Sequence, residues 1–177
     1  AGLCVEVAQN LVTPPASDEV TGRQVADRAD RSIDEIIAEW SEGTPALLEL
    51  MRTQTRARYS LPALDAWHHE NDVRGALRME AQTEGADQLA GFVLGGLARG
   101  WSADRPSVHV TAVDTGQEWH LGEGDDLTLR ASAFTLARVV TGRRSLAQIR
   151  ALDWSGDPVE VAHLLPTLPA PEKDLVI

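Results

Sequence analysis

The chain has 177 residues, 43% of them hydrophobic, and a formal net charge of −11. That is enough apolar content to bury a core, in one domain or two small ones. With 27 acids against 16 Lys and Arg, a phosphate backbone would be repelled, so no nucleic-acid partner is expected.

No run approaches the roughly 18 apolar residues of a membrane helix, and no charged-then-apolar leader opens the chain. The expectation is a protein with no membrane partner. Cys4 is the only cysteine, which excludes an internal disulfide and fits the cytoplasm. It lies in "AGLCVEVAQNLV", where Leu3, Val7 and Leu11 fall near helical spacing, so it reads as a small core residue and not as a nucleophile.

Residues 13–21, "TPPASDEVT", break this first helix with a Pro pair, and a loop with some helical character follows. Ser32 with Glu35 makes a capping box. Ile33, Ile36, Ile37 and Trp40 continue at a 3.6 period, and Leu47, Leu48 and Met51 resume it beyond Pro45, giving two helices or one kinked helix. "LPALDAWHHENDVRGAL" follows, with Pro62 in its first turn. A further helix covers 86–97 and holds "GFVLGG".

After Trp101 the pattern changes. "SVHVTAV" (107–113) alternates with period two, "DTG" turns, and "QEWHL" (117–121) returns as a hairpin partner. "GEGDD" is a loop, "LTLRA" (127–131) a third strand, and "SAFTLARVVTG" a helix closed by Gly142. "SLAQIRAL" is helical. "GDPVEVAHLL" starts a last helix with Asp157 as N-cap and Pro158 at its first position, and the tail beyond Pro166 is extended. The fold class is α+β: a helical domain over 1–100, then a small α+β domain over 101–177.

Asp65, His69 and Asp72 stand at i, i+4 and i+7 and project together from one helix face, with His68 about a quarter turn away. A carboxylate and an imidazole four apart can grip a divalent metal, and a nearby Asp can orient the imidazole. The same pattern also describes a solvated helix face, and two ligands do not complete a site.

The string "LDAWHHENDVRGAL" (64–77) resembles the helix carrying E/D-x-x-x-H-x-x-D-(I/V)-R-x-A-L in the mycothiol-dependent maleylpyruvate isomerase family, a branch of the DinB-like four-helix metalloproteins. Downstream, "ASAFTLARVVTGRR" followed by "WSGDPVEVAHLL" is similar to the closing segment of that family's C-terminal domain. The resemblance implies a DinB-like bundle that holds zinc through two His and one acid. On that pattern Asp65 and His69 are metal ligands, and Asp72 supports the imidazole.

The family's other His sits in an "A-H-L-A-G" stretch of an earlier helix, whereas this chain opens with "AGL". The third ligand is therefore absent from this sequence: either it lies upstream together with the first helices of the bundle, or the chain is a member that has lost its metal. Zinc would lower the pKa of mycothiol or a similar low-molecular-weight thiol, and the thiolate would add to a small electrophilic acid, for isomerisation or S-transfer. Arg143 is the matched position for binding the acidic small-molecule substrate, with Arg144 as its rival; a cation at a helix C-terminus is also favoured by the dipole alone. The alternatives are a non-catalytic member that binds a small ligand or a partner protein, and a DinB-like metal-dependent hydrolase.

His109 and His120 fall on the two hairpin strands and could face each other, but read as ordinary strand residues. His163 reads as an edge residue of the core. No strand–G-x-G-x-x-G–helix or phosphate-loop lysine supports nucleotide binding, and no G-x-S-x-G elbow supports a serine hydrolase.

Overall fold

A computed structural model describes all residues, Ala1–Ile177. It is α+β, with seven α-helices and a four-stranded mixed sheet. The chain divides into two compact units, Ala1–His69 and Glu70–Ile177. No helix is long and apolar enough to cross a membrane.

The first unit begins with α1 (Gly2–Ala8), which packs on α3 (Ile33–Thr53) and α2 (Asp18–Ala26). Gly43 lets α1 and α3 approach closely: a Cβ there would stand 3.2 Å from Val5 Cγ2. Cys4, Val7 and Leu47 form the buried centre, flanked by Leu50, Met51 and Tyr59. Ser17 caps α2, accepting from the Val20 amide, so the segment beyond the Pro pair holds a defined helix. Ser32 and Glu35 make the reciprocal capping box, and α3 runs unbroken through Pro45. Its stripe of Ile33, Ile37, Trp40 and Leu48 lies exposed; the period predicts the helix but not which face is covered.

The buried Glu6 and Gln24 side chains in this unit are paired, and so are the half-buried Arg28 and Glu39. The Glu6 carboxylate accepts from Arg23 at 2.6 and 3.1 Å and from Gln24 at 3.1 Å. Arg28 donates to Glu39 at 2.6 and 3.0 Å, which ties α2 to α3.

Helix α4 (Leu61–Ala76) follows a 3₁₀ turn at Ala57–Ser60 and crosses the division between the units. In the second unit α5 (Ala86–Arg99) packs along α6 (Ala133–Val140) and against β2 (Glu118–Leu121). The sheet runs β2-β1-β3-β4, with β1 (Val108–Ala112) antiparallel to β2 and parallel to β3 (Leu127–Ala131), and β4 (Asp153–Trp154) antiparallel to β3. Val108, Val110, Ala112, Leu121 and Leu129 are buried, as the period-two pattern demands.

Loop 122–126 carries the chain past the start of β1, where the Ser107 amide and hydroxyl both donate to Asp126 at 2.8 Å. A second capping box, Ser145 with Gln148, starts α7 (Leu146–Arg150).

The helix expected from Asp157 does not form. Asp157 accepts from the Val159 amide at 3.1 Å, one turn follows on Pro158, and only a 3₁₀ turn at Ala162–Leu164 is added. Leu165 keeps helical angles, φ −71° and ψ −43°, but Pro158 and Pro166 leave only the short stretch 159–165 between them, too few residues to repay helix nucleation. Val161, Ala162 and Leu165 still bury completely or nearly so.

Candidate functional site

Helix geometry on α4 places Asp65 and His69 one turn apart in the first unit, with Asp65 Oδ1 3.3 Å from His69 Nε2. Zinc bonds of about 2.0–2.2 Å in tetrahedral geometry put neighbouring donor atoms about 3.3–3.6 Å apart. The pair therefore suits one edge of a metal site. Their side chains are 44% and 62% exposed, so an ion held there would remain open to solvent. No group of three or more His, Cys, Asp or Glu side chains is arranged to hold a metal. The fit thus stops at two donors.

His68 is buried and sets its ring edge-on to Trp67, with centroids 5.0 Å apart. Cys4 is buried as expected; burial, and secondarily the Asp65 charge, push its thiol up. A thiol held neutral in this way is a core residue and a poor nucleophile.

Asp72 lies in the second unit between two arginines. Arg138 Nη2 donates to its Oδ1 at 2.7 Å, and Arg143 Nε to its Oδ2 at 3.1 Å. Burial pushes the Asp72 carboxyl up, but the Arg138 hydrogen bond and the charges of both arginines outweigh it, leaving the group below the usual carboxylate range. Arg138 is fully buried, and burial pushes its guanidinium down against the pull of Asp72. Burial, with the Arg138 charge, likewise lowers Arg144 to about 10, so it stays charged at neutral pH. Arg144 itself donates to the Arg143 carbonyl at 2.9 Å.

A cleft of about 520 Å³ opens beside this cluster, lined among others by Asp72, Arg138, Arg143, Asp174 and Ile177. The tail crosses it as a strap. Arg138 Nη2 also donates to the Ile177 carbonyl at 2.8 Å, and Gln148 brackets Leu175 by donating to its carbonyl at 2.7 Å and accepting its amide at 3.3 Å. Ser145 donates to Asp174. Arg143, which lines the cleft, donates through Nε to Asp72 and through Nη1 to the Thr141 carbonyl.

Sequence reasoning singled out Asp72 and Arg143 but missed Arg138 and the hooks for the tail. One signal was present: apart from Thr135, Arg138 is the only polar residue of α6. A helix apolar all round is buried, and a charge within it needs a partner. Local spacing marks Ser145 and Gln148 only as a capping box; their bonds to the tail reach partners 29 and 27 residues away.

His109 and His120 do face each other across the hairpin. Their rings stack at 4.4 Å with 9° between planes. His163 is exposed and lines a separate cleft of about 580 Å³. Comparison of the chain with protein-family models, curated proteins and solved structures gives no significant match.

Proposed function

We propose that this chain is a metal-dependent, thiol-cofactor enzyme of the maleylpyruvate isomerase type, with its helical part of the DinB-like kind. One observation carries the reading: Asp65 Oδ1 and His69 Nε2 stand 3.3 Å apart on successive turns of α4, the spacing of two donors on one zinc ion. Asp65 and His69 supply the oxygen and nitrogen donors. When bound, the ion acts as a Lewis acid that keeps a mycothiol-type thiol ionised.

The chain's own residues supply the rest. Arg143 binds the carboxylate of a small electrophilic acid, while Asp72 fixes the guanidinium by accepting from its Nε. Arg138 holds the other oxygen of Asp72 and so acts as a positioning residue. The test is thiol-dependent isomerisation of maleylpyruvate by the zinc-loaded protein. Turnover that is lost in Asp65→Ala and His69→Ala, with KM raised in Arg143→Ala, supports the reading; turnover independent of thiol or of both metal donors defeats it.

A second reading is a non-catalytic member that binds a small ligand or a partner protein. It is favoured by the exposure of His69, at 62%, and by a donor set that stops at two.

A further inference from the structure

The open face of the sheet carries a second set of donor groups, entirely within the second unit. Along β1, Val108, Val110 and Ala112 point into the core, so His109 and Thr111 point the other way. Antiparallel register sets His120 against His109 and Glu118 against Thr111. The Ala112 amide donates to the directly opposite Gln117 carbonyl at 2.9 Å. Counting from there, His109 and His120 form a non-hydrogen-bonded pair, the kind whose side chains come closest. Glu118 falls diagonally beside His109 on the same face.

Three features suit a cation here. His109 Nε2 is buried and has no hydrogen-bond partner. The Glu118 carboxylate stands 3.5 Å from it, too long and poorly placed for a hydrogen bond but close to the edge of a zinc tetrahedron. His120, exposed at the end of the row, lies ring on ring with His109 at 4.4 Å. Arg130, opposite Thr111, is engaged by Asp153 at 3.6 Å.

From this juxtaposition we propose that His109, His120 and Glu118 form a binding site for a divalent transition metal of the zinc type, distinct from the Asp65–His69 pair. In the rotamers described the three donors do not converge on one point. Coordination by all three requires the exposed His120 ring to rotate out of its stack on His109. Imidazole and carboxylate together favour zinc, nickel or copper over calcium or magnesium. Each imidazole would bind in its neutral form through one ring nitrogen, with its N–H on the other.

The experiment is calorimetric titration of zinc into the full chain carrying Asp65→Ala and His69→Ala, so that only this site is read. One equivalent is expected to bind. Adding His120→Ala is expected to weaken it at least about tenfold, and Glu118→Gln to weaken it in the same direction. Both positions are exposed, and circular dichroism checks that each variant keeps its fold. Absence of saturable binding at millimolar zinc, or affinity unchanged by both substitutions, overturns the proposal.

Discussion

Arg138, fully buried on α6, places its Nη2 2.7 Å from Oδ1 of Asp72 on α4, joining residues 66 apart in sequence. Removing one partner of such a pair strands the other charge out of water, at a cost of about 3–5 kcal/mol when both are buried. Asp72→Ala strands the buried Arg138, which keeps its bond to the Ile177 carbonyl, so the expected cost is about 2–3 kcal/mol in urea unfolding. Arg138→Met is expected to cost less still, because Asp72 keeps Arg143. Equal losses in the two variants would show that the pair is not asymmetric in this way.

Acid titration of stability reports the same carboxylate. The folded protein holds Asp72 below the usual carboxylate range, so its contribution is fully present above the unfolded pKa of about 4 and is lost as pH falls through the lower folded value. Asp72→Asn should therefore flatten the fall in stability below about pH 4–5 and leave the shape above it unchanged. Denaturant midpoints across that range check this. A wild-type slope retained in the variant counts against it.

Gly142 ends α6 with a φ of +68°, and a Cβ there would meet the Leu168 carbonyl oxygen at 2.6 Å and that of Pro169 at 2.9 Å. Gly142→Ala combines left-handed strain with a clash against backbone, which cannot rotate away. Thermal or urea unfolding is expected to show a loss of more than about 1 kcal/mol.

Cys4 is 6% exposed, packed with Val7 and Leu47, and its thiol is pushed up by burial. Alkylation by iodoacetamide is expected to be slow in the native protein and fast in urea. Rapid native labelling would mean that α1 opens readily.

Much of the architecture was legible because it rests on local rules. The Ser32–Glu35 box, Pro62 at a helix start, period two in 108–112 and Gly142 at a C-cap each act within a few residues, and each element appears where the rule put it. The last helix failed because Asp157 and Pro158 signal only a start, while Pro166 limits how far it can run. The two-residue β4 is too short to carry a period.

The candidate sites were legible only in part, for the same reason. Asp65 and His69 touch because they are four apart on one helix. Asp72 was singled out, but the arginines that hold it arrive from more than 60 residues away. Glu118 sits two residues from His120, yet its approach to His109 depends on strand register, which a strand pattern alone does not fix.

The central claim, that Asp65 and His69 share an ion, is tested most directly by zinc affinity in a chain carrying His120→Ala. Competition against a chelating dye is predicted to show about one bound equivalent, weakened at least about tenfold by Asp65→Ala or by His69→Ala. Zinc that does not bind, or that binds equally well without either side chain, contradicts the account.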